Sequence, residues 1–157
     1  MDTAALARIL DETFDHAVVH HGYTNYMRDY EVIVYATADP RTGTAPSYLR
    51  YLFRYCVQAR CETSVPAETW QISLDDRLID HETGADLDGY VWGVKWHALH
   101  PGARLLPESE ATRHWSKALG IEFHEVRIET NAHSLTLLFS DLQVSEIPVG
   151  YAPFVAD

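Results

Sequence analysis

Nine histidines and two cysteines are the residues of this chain best able to do chemistry, and their spacing decides whether they can act together. Glu12, His16 and His20 recur every fourth residue, a spacing that on a helix puts a carboxylate and two imidazoles on one face as candidate metal ligands. The H-E-x-x-H pattern is absent, and no second cluster completes the set, so a solvated helix flank is the favoured reading and no metal is assigned. Asp86-Leu87-Asp88-Gly89 has the outline of a calcium loop. Aligning Gly89 with the sixth position puts Gly84 at the first and Lys95 at the twelfth, where oxygen ligands are required, so the match fails.

Nucleophilic chemistry finds no better footing. There is no G-x-S-x-G elbow, no C-x-x-C pair and no glycine-rich phosphate loop. Cys56 and Cys61 lie in an arginine-rich stretch that would favour thiolates, yet lone cysteines in a strand are expected to be structural. Their odd separation along one strand turns them to opposite faces, so they are not expected to pair. Asp75, Asp76 and Asp80 offer paired carboxylates for acid–base work, although acids clustered in a turn are ordinarily just solvated. No catalytic residue and no cofactor are therefore assigned.

The elements that would position these groups read as one domain spanning residues 1–157, with no repeat or linker. Leu6, Ile9, Leu10, Phe14, Ala17 and Val18 repeat at threes and fours, which predicts an N-terminal helix running to Val18, with Thr3 as N-cap and Gly22 as stop. Tyr30 to Thr37 is β-branched and ends at a turn. From Leu49 to Cys61 every second residue is apolar while the other face carries Arg50, Leu52, Arg54, Cys56, Gln58 and Arg60, which predicts one long strand forming a hairpin with its predecessor.

Val65 to Leu74 suggests a short helical turn around Trp70, and Tyr90 to Trp96 alternates as a further strand. A second helix is predicted over Ser109 to Leu119, with Ala111, Trp115, Ala118 and Leu119 on its buried stripe and Gly120 just past its end. Ile121 to Thr130 and Ser134 to Val144 form a hairpin whose second strand is bulged or bent at Asp141. Tyr151 and Phe154 are expected to tack the tail to the body. The expected fold is α+β: a mainly antiparallel sheet of about five strands, covered by the N-terminal helix and the second helix.

Charge narrows the partners. A formal charge of −11 over 157 residues disfavours nucleic acid and anionic membranes. No basic leader opens the chain and no apolar run approaches the ~18 residues of a membrane span, so a cytoplasmic protein is expected. The acids are unevenly placed. Glu62 to Tyr90 holds eight of them against Arg77 alone, and from this we expect Asp75, Asp76, Asp80, Glu82, Asp86 and Asp88 to form a surface for a basic protein partner.

Several stretches together resemble a known family. They are Met27-Arg28-Asp29-Tyr30-Glu31-Val32-Ile33-Val34-Tyr35, Ala38-Asp39-Pro40-Arg41-Thr42-Gly43, Ser73-Leu74-Asp75-Asp76-Arg77-Leu78-Ile79-Asp80, Leu87-Asp88-Gly89-Tyr90-Val91-Trp92-Gly93-Val94-Lys95-Trp96 and Gly150-Tyr151-Ala152-Pro153-Phe154. Across nearly its whole length the chain is similar to the YxiG-like family of small bacterial proteins. That resemblance carries over no catalytic or binding residue. It implies a setting: related small proteins are encoded near contact-dependent toxin genes, where neighbours are often immunity proteins that plug a basic active site. The resulting expectation is a small acidic binding protein that neutralises a basic toxin domain. The alternative is a small-molecule or metal-binding domain, enzymatic or not, with His16, His20, His97 or His124 in a pocket.

Overall fold

The stretch from Leu49 to Cys61 reads in the sequence as one strand, but the backbone breaks it at Tyr55. The computed structural model describes residues 1–14, 16–36, 41–72 and 97–151. Within them the elements run α1 (Thr3–Asp11), β1 (Ala17–Thr24), β2 (Asp29–Ala36), β3 (Ser47–Arg54), β4 (Gln58–Thr63), α2 (Ala67–Ile72), β5 (His97–Ala98), β6 (Gly102–Leu105), α3 (Glu110–Leu119), β7 (His124–Glu129), β8 (His133–Phe139) and β9 (Asp141–Ile147).

These strands form two sheets, ordered β5-β1-β2-β3-β9 and β4-β8-β7-β6, with every described pairing antiparallel. The α+β class stands, whereas the single five-stranded sheet under two helices is corrected to two sheets and three helices among the described residues.

The reason for the second sheet is local. The expected long strand is two strands, because Tyr55 turns left-handed (φ 51°) and the chain leaves one sheet for the other. Its partner passes between the sheets at Ser140, one residue before Asp141, where the sequence suggested a bulge or bend. Arg54 faces Asp141 in one sheet and Gln58 faces Leu138 in the next, so Tyr55, Cys56 and Val57 oppose only Phe139 and Ser140. That extra residue is a bulge, which bends a paired ribbon without unpairing it. Two backbone bonds hold the corner: the Ser140 amide donates to the Arg54 carbonyl at 3.0 Å, and the Val57 amide to the Leu138 carbonyl at 3.0 Å.

The N-terminal helix also differs from expectation. Asp2, rather than Thr3, is the cap, its Oδ1 accepting from the amides of Ala4 and Ala5 at 2.8 and 3.0 Å. The helix stops at Asp11, well short of Val18. The Thr13 hydroxyl donates to the Leu10 carbonyl at 2.7 Å, a side-chain bond that competes with helix propagation. Ala17 and Val18 then enter a strand. Their helical spacing from Phe14 is coincidental: Phe14 is exposed while Val18 is buried.

The core lies between the inner faces of the two sheets. Val18, Val32, Val34, Tyr51 and Phe53 meet Val126, Ile128, Leu135, Leu137 and Phe139, and α1 adds Leu6 and Leu10. The Phe53 and Phe139 rings sit edge to face with centroids 4.9 Å apart. Each such buried side chain contributes about 1.5–3 kcal/mol.

Strand β2 is buried on its outer face as well, where Glu31 accepts from Arg50 Nε at 2.8 Å and from the Tyr151 hydroxyl at 3.1 Å. Tyr151 thus ties down the tail as expected; Phe154 lies outside the described residues.

Helix α3 matches its predicted bounds, with a Ser109–Thr112 capping box and a left-handed Gly120 (φ 69°). Its stripe does not. Thr112 is its buried residue, Trp115 is half-buried, and Ala111, Ala118 and Leu119 are exposed. The short helix around Trp70 is α2. The Tyr90–Trp96 strand lies outside the described residues. Among those described, no helix is long and apolar enough to cross a membrane.

Candidate functional site

Most hairpin turns that need positive φ use glycine, because a Cβ makes the left-handed region costly. The β1–β2 connection uses none. Asn25, Tyr26 and Met27 are all left-handed, at φ 51°, 59° and 63°. Asparagine tolerates this conformation, but for tyrosine and methionine it costs about 1–2 kcal/mol each. Such strain persists only where the surroundings over-determine it, and it gathers at functional sites.

The surroundings here centre on Asp29, which is wholly buried. Its Oδ2 accepts from Asn25 Nδ2 at 2.8 Å and from Arg28 Nη2 at 2.8 Å. Its Oδ1 accepts from Arg28 Nε at 3.0 Å and from the Tyr55 amide at 3.0 Å. One carboxylate therefore fixes both the strained turn and the left-handed corner at Tyr55, with a two-pronged guanidinium bond as its strongest part. Burial pushes the Asp29 pKa up, but the bonds from Arg28, Asn25 and the Tyr55 amide outweigh it and hold the group down at about 2. The Tyr55 ring lies between two cations, with the Arg28 and Arg54 guanidinium carbons 5.1 and 5.3 Å from its centroid.

This framework presents side chains to solvent. Tyr26 is as exposed as in an open chain (104%) and Met27 is 70% exposed. Tyr23 and Tyr55 stand partly exposed beside them, and Arg28 is half-exposed. Aromatics, methionine and arginine on a pre-set backbone are the composition of a protein contact surface. Among the described residues, neither cysteine is an activated nucleophile. Burial pushes the Cys56 thiol up to about 11, and its Sγ donates to the Gln58 carbonyl. Cys61, exposed and unpaired with Cys56, is also raised, by partial burial and by Glu62.

The residues singled out in the sequence are differently placed. Asp75, Asp76, Asp80, Glu82, Asp86 and Asp88 lie outside the described residues, as does the calcium-like loop. The Glu12–His16–His20 ladder does not form, since α1 ends at Asp11 and His20 belongs to β1. Among the described residues, no group of three or more His, Cys, Asp and Glu could hold a metal ion. Arg50 and Arg54 share β3, but Arg60 has passed to β4 and the other sheet.

His97 sits on β5, opposite Val18. His21 Nδ1 bonds the Tyr30 hydroxyl at 2.7 Å and, with His133, borders a cavity of about 40 Å³, room for a water or two rather than a ligand. His124 lines a larger pocket of about 250 Å³. The turn at Asn25 escaped sequence reading because it contains neither glycine nor proline. Asn25 itself was the one available signal.

The sequence finds no match among the curated proteins. A family model described as YxiG-like protein matches residues 2–157, and with essentially its full length covered, the chain belongs to the YxiG-like family.

Proposed function

We propose that this protein is a small acidic protein-binding module, of the immunity type that neutralises a basic toxin domain, and that the Asn25–Arg28 tip is one of its contact surfaces. The observation that carries the reading is a strained, glycine-free turn, locked by a buried carboxylate, that holds Tyr26 and Met27 out in water. A rigid aromatic contact loses little entropy on docking, a loss that otherwise offsets much of the binding energy. The charge of −11 supports a basic partner, and the acids Asp75, Asp76, Asp80, Glu82, Asp86 and Asp88 would steer it in.

The test is capture from the native lysate by wild type and by Tyr26→Gly/Met27→Gly, at low and high salt. Glycine accepts left-handed φ, so the double variant is expected to unfold no more easily than wild type. A basic protein held at low salt by wild type, released at high salt and missed by the folded variant is the expected result. Equal capture by both proteins removes the tip from the interface. Unchanged capture after exchanging the six acids for Asn and Gln removes the electrostatic part.

A further inference from the structure

Strand β4 lies at the edge of the second sheet, and among the described strands it pairs only with β8. Gln58, Arg60, Cys61, Glu62 and Thr63 are exposed along it, while Ala59 is half-buried against the core. The Ser64 amide donates to the Ala132 carbonyl at 2.8 Å, which fixes the phase of the ladder. Arg60 and Glu62 therefore turn their amides and carbonyls towards β8, and Ala59, Cys61 and Thr63 turn theirs outward. Such an edge is a template for another strand, which proteins ordinarily blunt with proline, a bulge or lysine. Within its six residues β4 has none of these. It carries instead one charge of each sign, two residues apart and on the same face. Across β8 these charges meet Thr136 and Ser134, which cannot neutralise them.

We propose that β4 pairs with β4 of a second copy of this chain, antiparallel about a two-fold axis through Cys61. Backbone phase and charge together select this register. Residues with outward backbone groups must meet one another, so near the strand centre the axis can fall at Arg60, Cys61 or Glu62. An axis at Arg60 sets that arginine against its own copy, and one at Glu62 does the same with glutamate. Like charges directly opposite are destabilising. An axis at Cys61 instead sets Arg60 against Glu62 of the second copy, twice over. Both pairs occupy non-hydrogen-bonded positions, where the Cα atoms lie only about 4.5 Å apart and side chains approach best.

Ala59 then faces Thr63 of the second copy, and the outward groups of Ala59, Cys61 and Thr63 complete the ladder. Trp70 is 40% exposed and donates from Nε1 to Thr63 Oγ1 at 3.1 Å, so it adds apolar surface at each end of the joined strands. The contact is the same patch on both copies, so it closes as a dimer.

A seam of one short strand from each copy belongs to the small, transient class of interface, so the experiment traps the dimer as well as weighing it. The intact protein is sedimented over a range of concentrations and treated with a short bismaleimide. Salt at about 0.15 M, where the Debye length is about 8 Å, screens the repulsion between two chains of charge −11. Cys61 is exposed and Cys56 buried, so a linked dimer that Cys61→Ser abolishes reports Cys61 beside its own copy. Concentration-dependent dimerisation with that link is the expected result.

Arg60→Glu, a change at an exposed position, sets glutamate against glutamate and should weaken association about tenfold. Arg60→Glu/Glu62→Arg restores opposite charges in the same register and should recover both association and link. A monomer at every concentration with no link overturns the proposal. So does a link undiminished by Arg60→Glu, or a double variant that associates no better than the single one. Tyr26→Gly/Met27→Gly should dimerise as wild type does, so failure here and failure of the tip reading are separable.

Discussion

Two buried polar groups in this protein have opposite bonding states. Asp29 lies at the corner of the two sheets with four hydrogen bonds to its two oxygens, while His124 is buried with Nε2 bonded to nothing described. Folding uses the full bonding capacity of the first group within the protein, on Asn25, Arg28 and Tyr55. The second group's Nε2 is left unbonded among the described residues. A saturated buried group specifies shape, and what it can offer a partner is the shape it enforces. An unsaturated one lowers stability.

Removing the saturated group should have the largest effect. Asp29→Ala leaves the Arg28 guanidinium, the Asn25 amide and the Tyr55 amide without their acceptor and frees a turn held against its own sterics. Arg28 is half-exposed and can be hydrated, so the cost is that of the buried donors left unsatisfied, and urea denaturation should show a loss of about 2–3 kcal/mol. A loss below about 1 kcal/mol would mean that water replaces the carboxylate and that the turn is not clamped.

The same contrast has a pH signature, of intermediate size. Asp29 is held at about 2, below its ordinary 3.8. Its contribution is therefore fully present above pH 3.8 and disappears as pH falls through 2, amounting to about 2 kcal/mol. Histidine enters earlier and with the same sign. The pKa values of His21 and His124 are both lowered, mainly by burial, so each adds stability above 6.5 that is lost as pH falls below it. Urea midpoints measured from pH 8 to pH 2 should decline in two steps, the first beginning near 6.5 and the second near 4. His124→Phe should shrink the first step and leave the second. A single step near 4 would show that neither histidine is kept neutral by the fold.

Parts of this arrangement were legible in the sequence where the causes are local. Ser109 and Gly120 mark the two ends of α3 from within its own stretch, and the β-branched run of β2 needs no distant partner. The corner at Tyr55 was illegible for the opposite reason. Its left-handed backbone is held by an aspartate 26 residues earlier in the chain, so nothing near Tyr55 interrupts the alternation. Strand β1 was masked by an accident of period, with Ala17 and Val18 at helical spacing from a Phe14 that points to solvent. His124 could be suspected as one of nine histidines. That it is buried and unpartnered depends on how β7, α1 and the α3–β7 connection meet, which no single stretch encodes.

The smallest effect is also the one whose sign separates the two groups. His124→Phe replaces an imidazole with an unpaired buried nitrogen by an apolar ring of similar outline, beside Phe139 at 5.9 Å. The unmet desolvation cost disappears and apolar contact is gained, so the protein should become more stable by about 1 kcal/mol, against the larger loss at Asp29. A urea midpoint that rises with unchanged slope is the expected reading. A midpoint that falls would mean that His124 makes a bond in solution, to a tightly held water, and that its nitrogen serves the fold just like the oxygens of Asp29. A rise would mark His124 as a residue whose unpaired nitrogen lowers the stability of the protein.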